Sequence, residues 1–367
     1  LQGYADYAHK VIQWEPESDF ALSPRASSPV GVFATDLGPR DATRLSRVQL
    51  IDPLRDWLRK QGRRAVDCIG EAASRAALLR LLGEGGPGLL FSATHGLAVC
   101  GEGKREARLR RQGAITCQNA VLLGEEEILT ADALGDGAAL RGGIWMMFAC
   151  FGAGTPQQNE FLQTVVDPTL LALYDGGPFM AELPSRLLAN PDGPLAVLGH
   201  LDPSFTHAIA DPSAKGGRRS SALLSVVTRL LRGSRIGGCI GELSSDANLF
   251  SQQVIQVKED IARTIKSAAD EQIAAALSAA EPGTQLASIR NQLVDMTVSY
   301  YEFRNFVLLG DPAVKLPQKD AQPSRLSSPP APPVAAVAAV AAVAAVAAAA
   351  PVASAGPGSL PAAIVAA

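Results

Sequence analysis

Cysteine is scarce in this sequence: five in 367 residues, an odd number, with no two in a CxxC pair. That excludes a disulfide framework and a zinc ribbon. Mostly reduced thiols point to a reducing compartment, and a cytoplasmic location is expected. An excess of charge is lacking too, since 33 Lys+Arg stand against 36 Asp+Glu for a net charge of −3. A general nucleic-acid binder needs a basic surface, so no nucleic-acid partner is expected. No run reaches the roughly 18–20 strongly apolar residues that span a bilayer. The nearest, Val334–Ala350, is dominated by alanine. The opening Leu1–Trp14 is not a basic region leading into an apolar run, so neither a signal peptide nor a membrane span is expected.

Several motifs with known chemistry are missing as well. Gly83, Gly85 and Gly88 spell GxGxxG, but the run precedes a strand pattern and contains Pro87, the reverse of a dinucleotide-binding turn. Gly96 to Gly101 has P-loop spacing, yet Glu102 stands where lysine is required. Neither GxSxG nor HExxH occurs. The basic run Lys104–Arg111 has no interleaved aromatics and reads as a solvated loop.

Hydrophobic residues make up 47% of the chain, enough for a large core. Three regions differ in character: an N-terminal extension over residues 1–28, a folded domain over 29–317, and a tail over 318–367. The tail is almost all Ala, Val, Pro, Ser and Gly, with valine every third residue from Val334 to Val346. A period of three winds around a helix without making one buried face, so a disordered low-complexity linker is expected. In the domain, apolar runs alternate with helical patterns. Strands are expected at Val30–Thr35, Ala65–Ile69, Gly88–Thr94, Gly142–Ala149, Pro194–Gly199 and Phe306–Gly310. Helices are expected from Asp52-Pro53, with Asp52 as N-cap, and over Ala72–Leu82 and Ser220–Leu231. Gly113–Leu123 is strand-like and begins a hairpin excursion. Strands this apolar, separated by helices, predict an α/β fold with a mostly parallel sheet covered on both faces.

In such sheets ligands sit at the carboxyl ends of the strands. One strand runs into His95-Gly96 and another into Cys150, followed by Phe151-Gly152. If the two are neighbours, an imidazole and a thiol share a crevice, which is what a cysteine nucleophile requires. Gly96 allows close approach of substrate, and its N–H can join that of Cys150 in holding an oxyanion.

These segments resemble the caspase-like cysteine peptidases of the gingipain-type branch, closest to bacterial members. The resemblance rests on FSATHGL (Phe91–Leu97), GAITCQN (Gly113–Asn119), FACFGAGTP (Phe148–Pro156), PLAVLGH (Pro194–His200) and FVLLGDPAVKLP (Phe306–Pro317), and spans roughly Tyr4 to Pro317. It implies a caspase-like three-layer sandwich, His95 and Cys150 as a dyad, and endopeptidase cleavage through a thioester. The partner is then a peptide or protein substrate, and no metal or organic cofactor is needed. A regulatory domain or partner beyond this sequence fits such a protein.

Two acids are candidates for a pocket that selects Arg or Lys: Asp36 at the end of the first strand, and Asp202 after the fifth, with Phe205 as an apolar wall. Cys68 and Cys239 read as packing residues, Cys100 as a residue that could line the site, and His200 and His207 as loop histidines. The alternative to an enzyme is a catalytically silent binding or scaffold module on the same fold.

Overall fold

A computed structural model describes residues 2–14, 29–83, 85–99, 103–135, 137, 139–157, 174, 177–211, 217–265, 272, 275–277 and 279–316. The tail over 318–367, expected to be a disordered linker, lies outside the described residues. In chain order the described strands are β1 Val30–Ala34, β2 Ala65–Ile69, β3 Leu89–Ala93, β4 Ile115–Thr116, β5 Ile128–Leu129, β6 Ile144–Phe148, β7 Gly154–Thr155, β8 Phe179–Met180, β9 Ala196–His200 and β10 Phe306–Gly310. Six of them form one sheet in the order β2-β1-β3-β6-β9-β10. All neighbours run parallel except β10, which pairs antiparallel with β9 at the edge.

The sheet is buried on both faces because its strands are apolar at consecutive positions, not at alternate ones. Every residue of β1, β3, β6 and β9 is buried. Alternate side chains point to opposite faces. Val32, Phe91, Met146 and Leu198 pack with Leu54, Leu58, Val226 and Leu230 on one side. Phe33, Leu90, Trp145 and Val197 pack with Leu78, Leu82, Leu183 and Leu187 on the other. The result is the helix–sheet–helix sandwich expected of a mostly parallel α/β protein. Trp145 lies fully in the second layer, and its indole N–H donates to Ser92 Oγ at 2.9 Å.

Some local expectations are corrected. The helical run begins at Ala42, not Asp52: Ala42–Ser46 passes through a π-helical turn, Arg47–Ile51, into Asp52–Lys60 without a break. Its cap is Asp41, whose carboxylate accepts the N–H of Thr43 at 2.8 Å. The basic run is a helix, Arg105–Arg111, in which Arg108 is buried while Arg105, Glu106 and Arg110 stay exposed. The excursion is a hairpin of β4 and β5, but Ala120–Leu123 between them is helical. Two long helices that the sequence pattern did not single out, Gly241–Ile265 and Gln285–Arg304, lie beside one another before β10. The N-terminal helix Gln2–Trp14 is anchored to the domain: Tyr7 donates to the carbonyl of Leu195 at 2.6 Å, and buried Lys10 to those of Leu188 and Asn190 at 2.7 and 2.9 Å. No described helix is long and apolar enough to cross a membrane.

Candidate active site

The register of the two central strands sets the backbones of His95 and Cys150 at corresponding positions on neighbouring strand ends. β3 pairs with β6 up to Ala93 opposite Phe148, and the N–H of Thr94 still donates to the carbonyl of Phe148 at 3.1 Å. His95 and Cys150 each follow two residues beyond that last pair. Past them, Gly96 lies on the backbone of Cys150: a Cβ built there would come within 1.8 Å of the Cys150 carbonyl oxygen. The backbone of His95 is fixed from the other side, its carbonyl accepting both the N–H and the hydroxyl of Thr116 at 3.1 and 2.8 Å.

The sulfur of Cys150 sits among backbone groups. It accepts the N–H of Ser204 at 3.3 Å, and its own S–H reaches the Ser204 carbonyl at 3.6 Å. The residue keeps a partly exposed edge. Burial pushes the thiol above its ordinary range, and the Glu302 carboxyl adds to this. The N–H groups of Ser204, Gly96 and Cys150 itself pull the other way.

His95 has a third partner that spacing did not reveal. Its Nε2 lies 3.0 and 3.1 Å from the two carboxylate oxygens of Asp41. Partial burial draws the Asp41 carboxyl upward, but the hydroxyl and N–H of Thr43 and the His95 ring outweigh it and hold it below the usual carboxylate range. A carboxylate on Nε2 selects the tautomer with the proton there and leaves the Nδ1 lone pair for acid–base work. The signal was present in the sequence, because Asp41-Ala42-Thr43 is an N-cap pattern. It was hidden by the assignment of the helix start to Asp52.

The proposed specificity residues are placed less openly. Asp36 accepts Arg44 at 2.7 Å and Arg47 at 2.5 Å on one oxygen. Burial alone would raise its carboxyl, yet the two guanidinium groups lower it. Asp36, expected as a pocket acid for a basic side chain, is thus paired with these two arginines. Asp202, likewise expected as a pocket acid, is fully buried, and its carboxylate accepts the Tyr174 hydroxyl. Phe205 is half-buried, and its N–H donates to Glu302 at 2.7 Å. Two non-glycine residues beside the thiol adopt left-handed backbone, Phe151 at φ 55° and Asp202 at φ 71°, joined by a 2.9 Å bond from the Phe151 N–H to the Asp202 carbonyl. Strain of this kind persists where the surroundings over-determine it.

The remaining candidates divide. Cys68, Cys117 and Cys239 are buried, as packing residues should be, and burial pushes the Cys117 thiol up to about 12. Cys100, expected as a possible site-lining residue, lies outside the described residues. His200 is no loop histidine: it ends β9, wholly buried, and its Nε2 donates to the Glu302 carbonyl at 2.9 Å. Burial brings its ring down to about 4. His207 stands 3.8 Å from Asp295, its ring also held low by burial. Glu302 itself went unnoticed, although a lone acid within Tyr300–Phe306 was the available signal.

No protein-family model and no curated protein matches the chain. Among solved structures, the crystal structure of gingipain R, an Arg-specific cysteine proteinase, superposes with a TM-score of 0.39 at 8% identity. That alignment covers 85% of this chain, and the chain spans about half, 52%, of that protein.

Proposed function

We propose that the chain is a cysteine endopeptidase of caspase-like, gingipain-type architecture, with Cys150 as nucleophile and His95 as general acid–base. The observation that carries this reading is the shared register of the two residues, each two positions past the last β3–β6 pair, with Gly96 lying on the Cys150 backbone.

In this mechanism His95 Nδ1 takes the Cys150 proton, and the thiolate attacks the scissile carbonyl carbon. The oxyanion is received by the N–H groups of Gly96 and Cys150. His95 then gives the proton to the departing amine, leaving a thioester, and later draws a proton from the water that hydrolyses it. Asp41 holds the ring in the required tautomer. Asp36 and Asp202 are both paired within the protein, so either would select Arg or Lys before the cut only by exchanging those partners.

A second reading, a silent binding module, is favoured by one observation: the Cys150 thiol is capped by the Ser204 backbone. A peptidyl warhead panel varied at the residue before the cut separates the two. The peptidase labels at Cys150 and loses the label in Cys150→Ala. Labelling no faster than at the other thiols overturns the peptidase reading.

A further inference from the structure

We propose that Glu302 is a positioning residue for the candidate nucleophile, holding the Ser204–Phe205 backbone so that the Ser204 N–H is aimed at the Cys150 sulfur. The inference rests on the reading of Cys150 as the reacting group, and it adds to that reading a residue from a distant helix, 152 positions along the chain.

The geometry is a clamp. Glu302 is fully buried near the end of the Gln285–Arg304 helix. One carboxyl oxygen accepts the Ser204 hydroxyl at 2.9 Å, and the other accepts the Phe205 N–H at 2.7 Å. The N–H that meets Cys150 at 3.3 Å belongs to the anchored Ser204 itself, directly before the Cα that bears the held hydroxyl. The helix is fixed in turn, because the Glu302 carbonyl accepts Nε2 of His200 at the end of β9. A buried carboxyl is costly, and a site that keeps one spends that cost on fixing its neighbours. A third N–H on the sulfur favours the thiolate, whereas the nearby carboxyl opposes it when ionised. Clamp and charge therefore act on Cys150 in opposite directions. Among the described residues, the titratable group packed on the clamp is His200, behind Glu302, while His95, paired with Asp41, stands at the end of neighbouring β3.

Site-resolved alkylation of Cys150 by iodoacetamide across pH, alongside the melting temperature, tests this. Glu302→Ala releases the segment, and at neutral pH Cys150 is alkylated about tenfold more slowly, its pH profile moved upward. Glu302→Gln keeps an acceptor for Phe205 and a partner for Ser204 but cannot ionise, so Cys150 is alkylated at least as fast as in the parent chain. Where the alanine variant fails to fold, Glu302→Asp, with its carboxyl drawn back by one methylene, shows the same slowing. Equal slowing in Glu302→Gln and Glu302→Ala, or a folded alanine or aspartate variant alkylated at the parent rate, overturns the inference. Iodoacetamide is not a peptide, so the expected pattern in a chain that never cleaves peptides upholds the clamp while refuting the peptidase. Peptide cleavage with unchanged alkylation in these variants does the reverse.

Discussion

Gly96 shows how little freedom the candidate site has. Any side chain there meets the Cys150 carbonyl oxygen at 1.8 Å, so Gly96→Ala must push the two strand ends apart. A displacement near 1 Å at reacting atoms costs about 100-fold in rate, and that is the expected loss of Cys150 labelling by a peptidyl warhead, with the sheet intact by circular dichroism. Asp41 is the complementary case. Asn caps a helix about as well as Asp, so Asp41→Asn changes unfolding free energy by less than about 1 kcal/mol. It also removes the carboxylate that sets the His95 tautomer, and kcat on a peptide substrate falls by about 10²–10⁴. An unchanged kcat would assign Asp41 to capping alone. The sequence offers His95 and Cys150 as candidates because each stands immediately after an apolar strand, at the edge of a parallel sheet where ligands bind. Asp41 and Glu302 reach the site through a helix cap and a distant helix, relations that spacing along the chain does not carry.

At the scale of elements, consecutive apolar residues made the sheet legible: β2 and β10 match their expected bounds, and the other four differ by one or two residues at their ends. Helices were harder to read. Gly241–Ile265 and Gln285–Arg304 divide their apolar residues between the sheet core, which takes Leu243, Ala247, Phe250 and Phe303, and a separate cluster of Val257, Ile261 and Leu293, so no single stripe announces them. β6 offers a direct stability test, because Trp145 fills its layer and donates to Ser92 Oγ. Trp145→Ala leaves a cavity and an unpaired hydroxyl, and is expected to cost about 3–5 kcal/mol in chemical denaturation. A loss below about 1 kcal/mol would mean that the layer collapses to fill the space. Since β6 delivers Cys150, alkylation at Cys150 should also lose its selectivity over the other thiols in this variant.

Across the whole molecule, buried groups of opposite type shape the pH dependence of stability. Burial raises Glu302 from 4.5 to about 8, so between those values the folded chain holds a proton that the unfolded chain has released. Stability therefore rises as pH falls from about 8. Burial lowers His200 from 6.5 to about 4, so below 6.5 the unfolded chain takes up a proton that the fold refuses, and stability falls with pH. His207, held low for the same reason, adds to the fall. Lys10, brought down to about 8 by burial, titrates above this window. Among the described residues, the contribution that changes from pH 8 to 6.5 is that of Glu302, by about 2 kcal/mol at roughly 1.4 kcal/mol per unit. Below 6.5 the histidines offset it. Below 3.8 the depressed carboxyls of Asp36 and Asp41 lose their contribution as they protonate. Denaturant midpoints taken across this range should peak near pH 6.5, and Glu302→Gln, which carries no ionisable group, should flatten the alkaline side of that peak. A parent chain most stable at pH 8 or above would mean that Glu302 is ionised in the fold, and the charge opposing the Cys150 thiolate would then be present throughout the working range.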